Sequence, residues 1–220
     1  MTRKITWIGH SCFKIEIDGF TVVTDPYEDG SVPGIGPVRE RADLVLVSHE
    51  HFDHNARSLV EVEEKADSPL RITQIASWHD DAGGSQRGPN TIHIIEADGL
   101  RIAHLGDLGC EPEAGQLEQL QGLDVCLIPV GGFFTIDGLQ AAELVKRIRP
   151  KVTIPMHFRD DEAGFGFDVI SGVNVFADQF DSVCRTSDSV LDLEQLPDAQ
   201  VVILRPRNTE EVTVCRGTAD

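Results

Sequence analysis

The segment His49-Glu50-His51-Phe52-Asp53-His54 holds the densest set of metal-ligating side chains in the sequence. With 8 histidines in 220 residues, a His-x-His-x-Asp-His run arises by chance on the order of 10⁻³ times per chain. Residues two apart in an extended segment point the same way, so His49 and His51 can clasp one ion. Asp53 and His54, where the chain turns toward the next helix, can face a second. Three further candidates occupy equivalent places: His79 follows the apolar run 72–77, Asp107 follows 102–105, and His157 follows 152–155. Each run reads as a strand, as does 44–47 before His49, and open α/β sheets gather ligands beyond the carboxyl ends of their strands. The division this suggests is His49, His51 and His79 on one ion and Asp53, His54 and His157 on the other. Asp107 would bridge, with one carboxylate oxygen on each. Coordination positions left open for water mark a catalytic site rather than a closed structural one. Two divalent ions would acidify a bridging water, supplying hydroxide near neutral pH, and Asp53 would take up a proton as that hydroxide is consumed.

Around this set stand weaker candidates. His10 ends the first predicted strand, and either faces the metal mouth or is a hydrogen-bonded structural histidine. His104, inside a strand three residues before Asp107, reads as a buried residue that orients a ligand. His93 alternates with Ile92 and Ile94 and reads as an outward strand residue. Arg87 is surrounded by Gly83, Gly84 and Gly88. It is either a surface charge on a mobile loop or a lid cation that grips an anionic substrate with its two-pronged guanidinium. Phe133 and Phe134, after Gly131-Gly132, either wall the pocket or pack in the core. Cys110 reads as a packed small hydrophobe, because the ligand set is complete without it. Gly34-Ile35-Gly36 is no dinucleotide fingerprint, since Arg39 stands where the third glycine belongs.

The elements that must position these residues follow from the hydrophobic pattern. Residues 3–9, 12–17 and 20–24 are short strand-like runs, with Asp18-Gly19 as a hairpin turn between the last two. Residues 26–42, rich in Pro and Gly, read as a long surface loop. The run 44–47 is uniformly apolar, as in a strand covered on both faces, and similar runs recur at 71–77, 91–96, 101–105, 124–130 and 151–155. The spacing predicts a helix over 138–149, with Asp137 at its N-cap, Gln140 at N3 and Pro150 as its stop. Hairpins followed by strands alternating with helices give an α/β fold in layers, two sheets with helices outside, read as one domain over 1–220.

Composition narrows the function. Lys and Arg number 19 against 37 Asp and Glu, a formal charge of −18. That opposes an extended phosphate-backbone footprint, so nucleic acid is not an expected partner. The longest nearly apolar stretch, 125–134, falls far short of the ~20 residues a membrane span needs. No signal-peptide pattern opens the chain, and the five scattered cysteines lack CxxC spacing, which fits reduced thiols in a cytoplasm. A small-molecule substrate is the expected partner, and the sequence leaves both a monomer and a homo-oligomer open. Two dications against two ligand carboxylates and a hydroxide leave a local charge of about +1, which suits anionic esters, lactones or phosphodiesters. Nitrogen and oxygen ligands without thiolate suit Zn²⁺, Mn²⁺ or Fe²⁺, and the affinity order favours zinc over manganese. The rival reading is a metal-binding or oligomeric scaffold without turnover.

The His-x-His-x-Asp-His run followed by His, Asp and His resembles the signature of the metallo-β-lactamase superfamily. A narrower likeness, to the small bacterial metal-dependent hydrolases grouped with ascorbate-6-phosphate lactonase, rests on further motifs. These are Trp7-x-Gly-His10, Thr24-Asp25-Pro26, Trp78-His79-Asp80 with Arg87-Gly88-x-Asn90, His104-Leu105-Gly106-Asp107, Pro129-Val130-Gly131-Gly132 and Ile154-Pro155-Met156-His157. It spans roughly residues 4–160, and implies a four-layer αβ/βα sandwich with a dinuclear metal site. The resemblance leaves the substrate unassigned.

Overall fold

In the computed structural model, which describes residues 2–63, 65 and 67–209, three antiparallel strands open the chain: β1 (Arg3–Gly9), β2 (Cys12–Ile17) and β3 (Phe20–Thr24). Asp18 and Gly19 take positive φ values of 51° and 85°. Two successive left-handed residues make the turn whose twist matches the flanking strands, as the Asp-Gly pair predicts. The long loop is interrupted by β4 (Glu40–Ala42), which pairs in parallel with β6 (Val60–Val62) in a separate two-stranded sheet. Between them, β5 (Leu44–Leu46) adds in parallel to β3. It is an edge strand, with Leu44 and Val45 only half-buried, so the expectation of a strand covered on both faces is corrected.

A meander of three antiparallel strands follows, β7 (Arg71–Trp78), β8 (Pro89–Ala97) and β9 (Leu100–His104). Only then do strands alternate with helices. The order is α1 (Ala114–Gln119), β10 (Val125–Pro129), α2 (Gly138–Ile148) and β11 (Val152–Met156), with β9, β10 and β11 parallel. Asp137 caps α2 as its spacing predicts, accepting from the Gln140 backbone N–H at 2.9 Å, while the Gln140 side chain accepts from the Asp137 N–H at 2.9 Å. The helix ends on Arg149 in the left-handed conformation, φ 53°, just before Pro150. Its buried face, Ala141, Ala142, Leu144, Val145 and Ile148, recurs at helical spacing. A short α3 (Asn174–Ala177) and three strands complete the described chain: β12 (Val183–Arg185), β13 (Val190–Asp192) and β14 (Val201–Ile203).

The main sheets run β13-β1-β2-β3-β5 and β12-β14-β11-β10-β9-β8-β7. The fold is thus an αβ/βα sandwich with sparse outer helices. Strand β13 pairs with β1, whereas β14 pairs with β11, so the segment after residue 160 completes both sheets. The core lies where the inner faces meet. Trp7 packs 5.4 Å from Phe158 and Phe13 6.0 Å from His104, centroid to centroid. His93 is buried, not outward, and its Nε2–H donates to the Val47 carbonyl at 3.0 Å. Thr91 N–H likewise donates to the Ser48 carbonyl at 2.8 Å. These bonds tie the segment entering His49 to the second sheet. The period-two pattern could not show this, because β8 is covered on both faces. Cys12, Cys110, Cys126 and Cys184 are free; Cys215 lies outside the described residues. Among the described residues no helix is long and apolar enough to cross a membrane.

Candidate metal centre

The candidate ligands assemble at one end of the sandwich. His49 through His54 follow β5, His79 follows β7, Asp107 follows β9 and His157 follows β11. Close packing makes this convergence feasible. A Cβ on Gly109 would lie 2.2 Å from the His79 carbonyl carbon, and one on Gly131 would lie 2.2 Å from the His157 carbonyl oxygen. Neither approach tolerates a side chain. Four non-glycine residues with left-handed φ also sit here: His10, Asp25, Phe133 and His157. The others, Asp18, Asp98 and Arg149, serve hairpin turns and a helix end. Left-handed backbone costs on the order of 1–3 kcal/mol per residue and persists where surrounding structure over-determines it.

Asp107 is the centre of the arrangement. Its Oδ2 lies 3.1 Å from His54 Nε2, 3.2 Å from His157 Nε2, 3.4 Å from His79 Nε2 and 3.9 Å from His49 Nε2. Asn90 holds its backbone, accepting from the Asp107 N–H at 2.9 Å while donating to the Leu105 carbonyl at 2.9 Å. On one side the ligand atoms of His49, His51 and His79 lie within 4.8 Å of one another. On the other, those of His10, Asp53, His54 and His157 do the same. Among the described residues Asp25, His49 and His54 form a further such group that cuts across these two, and His10 stands with the residues expected on the second ion.

Hydrogen bonds fix which imidazole nitrogen faces the centre. The Phe134 carbonyl can only accept, so the 3.0 Å contact from His79 Nδ1 places the proton there and leaves Nε2 as a lone pair. The Asp25 carboxylate likewise accepts from His54 Nδ1–H at 2.9 Å, so Nε2 is the nitrogen that faces Asp107. Ser48 Oγ donates to Asp25 at 2.6 Å and accepts from His49 Nδ1 at 2.9 Å. One buried carboxylate therefore steers a ligand of each group, His54 directly and His49 through Ser48. The inward atoms are left without partners: Nε2 of His10, His49 and His54, and Oδ1 of Asp107, are buried and make no hydrogen bond. A buried unsatisfied polar atom costs on the order of 1–3 kcal/mol. A convergent set of them, imidazole lone pairs beside carboxylate oxygens, is the donor set divalent ions take. The residues fit the ions.

The charges follow the same plan. Burial would push the Asp25 carboxyl up, but His104, His54 and Ser48 outweigh it and bring it down to about 2. Burial likewise opposes ionisation of Asp107, and the imidazoles of His157 and His54 overcome it, holding the carboxyl well below its usual range. Burial lowers His49 to about 3, with His54 adding to the effect, and lowers His10 to about 4, with His157 adding. His54 runs the other way. Burial disfavours its charge, yet Asp107 and Asp25 together raise it well above the ordinary histidine value.

Other expectations are refined. His104 is buried, but touches no ligand side chain: its Nε2–H donates to the Ser11 carbonyl at 2.8 Å, and its Nδ1 accepts from the Gly106 N–H at 3.2 Å. It braces the backbone beside His10 and Asp107 instead of orienting a ligand ring. The loop of Arg87 is pinned rather than mobile. The Asp80 carboxylate accepts the N–H groups of Ala82, Gly84, Gln86 and Arg87 at 2.7–3.0 Å. The Arg87 guanidinium is half-buried, 5.8 Å from the Phe134 ring and 6.0 Å from that of Phe133. Phe134 stands 6.3 Å from the His157 ring and 5.9 Å from Phe167, so it walls the site; Phe133 is 62% exposed at the rim. Sequence reasoning did not assign roles to Asp25, Ser48, Asp80 and Asn90. Asp25 carried a usable signal, since it follows β3 as the ligands follow theirs.

Comparison with known proteins bears on the family and the fold. Residues 4–157 match the family model of the beta-lactamase superfamily domain, a span that ends on His157. A UPF0173 metal-dependent hydrolase of Hyperthermus butylicus is 31% identical over 189 residues, covering 70% of this chain and 82% of that protein. Its counterpart in Methanopyrus kandleri is 30% identical over 201 residues, covering 70% and 84%. A solved metallo-beta-lactamase superfamily structure from Thermotoga maritima superposes with a TM-score of 0.73 at 32% identity, covering 91% of this chain and 97% of that one. Igni18, a metallo hydrolase from Ignicoccus hospitalis, gives 0.57 at 26% identity over 72% and 84%. With the His-x-His-x-Asp-His run, the two-sheet sandwich and a family model that matches residues 4–157, the chain belongs to the beta-lactamase superfamily.

Proposed function

We propose that this protein is a hydrolase that holds two divalent ions, zinc foremost, and acts on a small anionic ester, lactone or phosphodiester. The observation that carries the reading is the convergence of buried, partnerless ligand atoms on both sides of Asp107 Oδ2. The curated relatives from Hyperthermus butylicus and Methanopyrus kandleri bear the description metal-dependent hydrolase, which supports it. His49, His51 and His79 would hold one ion, Asp53, His54 and His157 the other, and Asp107 both. Bound there, the ions would supply Lewis acidity and a water acidified toward neutral pH. Asp53, only partly buried at 14% side-chain exposure, is the ligand carboxylate that reaches the mouth, and is placed to accept a proton there. Phe134 and Phe167 wall the site from solvent. Arg87, pinned by the Asp80 loop and stacked on the Phe133–Phe134 pair, offers a guanidinium fork to the anionic end of the substrate.

The test is elemental analysis together with a panel of phosphodiesters, lactones and thioesters, run before and after chelation. Close to two ions per chain and turnover that chelation abolishes and a divalent ion restores are expected. Two ions held without turnover of any class would instead leave a metal-binding scaffold.

A further inference from the structure

His10 follows β1, a fifth strand end beside the four that carry the other candidate ligands, in the same sheet as β5. Its backbone is left-handed, φ 53°, and Trp7 Nε1–H donates to its carbonyl at 2.9 Å. The side chain is 1% exposed, and its ring lies 4.2 Å from the His157 ring and 5.0 Å from that of His54, centroid to centroid. Phe167 closes another side at 5.7 Å. A histidine kept inside a protein for structure normally finds hydrogen-bond partners, as His104 does on both nitrogens. His10 Nε2 has none, and its nearest acceptor, Asp53 Oδ2, is 3.5 Å away. One ring nitrogen of His10 lies within 4.8 Å of the ligand atoms of Asp53, His54 and His157. The fold thus accepts an uncommon backbone conformation and an unpaired buried nitrogen at the same residue.

We propose that His10 is a protein ligand of the second ion, alongside Asp53, His54 and His157. This rests on the reading that the site holds metal. Three imidazoles and a carboxylate then serve the buried position before Asp107 is counted. The position at His49, His51 and His79 has three imidazoles, one of them exposed at the mouth. The buried position has fewer places left for water or substrate, so the exchangeable coordination belongs to the mouth. The ligand set thus joins the ends of β1 and β5 in one sheet to the end of β11 in the other.

The experiment uses the full chain loaded with a spin-active cadmium isotope and isotope-labelled histidine. One-bond coupling between cadmium and His10 Nε2 in the unmutated protein is the expected result, and its absence overturns the proposal without any variant having to fold. Cobalt titration of H10A and H10Q adds a second readout. Both variants should weaken the second ion by more than the roughly 100-fold that outer partners of a metal site reach. Both should also change the visible cobalt spectrum while the first ion stays. If H10Q, whose amide can still bond Asp53, keeps both ions and the original spectrum, His10 only positions Asp53 and the proposal fails. An unmutated chain that saturates with one ion would defeat the two-ion reading by itself, and the cadmium coupling would still decide whether His10 touches that ion.

Discussion

His49 and His54 lie five residues apart on one segment, yet the two sides of the site they serve are built differently. On the inner side His54 is fully buried and has Asp25 behind it and Asp107 before it, so its imidazole holds a proton well above the ordinary range. On the outer side His49 has a neutral Ser48 hydroxyl behind it, and burial lowers it to about 3. Its neighbour His51 stands exposed, beside Phe52, which is 58% exposed. Same residue type, same segment, opposite shift: carboxylates on both faces outweigh burial at His54, whereas burial and the neighbouring His54 prevail at His49. One half is enclosed and charge-compensated, suited to retaining an ion. The other opens on solvent, suited to exchange.

The substitution with the largest expected effect erases the difference. Asp107→Ala removes the oxygen shared by both halves, so both ion occupancies should fall, and with them several kcal/mol of charge stabilisation, about three decades in rate or more. Elemental analysis and turnover of the best substrate in the panel check this. One ion retained at full occupancy would mean that the halves are not joined through Asp107.

Arg87 sharpens the comparison on the open side. Arg87→Ala should leave both ions bound while costing roughly 2–4 kcal/mol of transition-state stabilisation on an anionic substrate, and far less on a neutral ester of similar shape. Arg87→Lys should already be damaging, because a point charge does not reproduce the fork. Equal losses on charged and neutral substrates would reduce Arg87 to shaping the rim.

The smallest effect probes the enclosed side. Asp25→Asn keeps the shape but removes the charge behind His54, and should weaken the inner ion about 10- to 100-fold, and the outer one less, since His49 is reached only through Ser48. In chelator-treated protein the same change should lower the His54 pKa, because a carboxylate that favours imidazolium is gone. The sign for stability follows. A histidine raised in the folded state contributes stability that is fully present below the unfolded value of about 6.5 and is lost as pH rises through its folded value. Chelator-treated Asp25→Asn should therefore show less of that alkaline loss than the parent, read by imidazole NMR titration and thermal unfolding against pH. An unchanged His54 titration would show that Asp107 alone sets it.

The sequence by itself determined whatever is local. Asp18-Gly19 makes its hairpin because both residues tolerate left-handed φ, and Asp137 and Gln140 cap α2 because the capping geometry spans only three residues. Asp53, His54, Asp107 and the four other candidate ligands are legible because donor chemistry belongs to the side chain, and strand ends can be read from apolar runs. Tertiary structure alone decided the rest, since it depends on partners far away in the chain. His93 faces inward because it meets the Val47 carbonyl, 46 positions earlier. The Arg87 loop, read from its glycines as mobile, is fixed by four N–H groups converging on Asp80. β13 and β14 carry no motif, yet close both sheets through pairing with β1 and β11. The tautomers of His54 and His79 are set by Asp25 and by the Phe134 carbonyl, 29 and 55 positions away. A spacing pattern can say which atoms are able to bind an ion; which of them are left without another partner is a property of the packed whole.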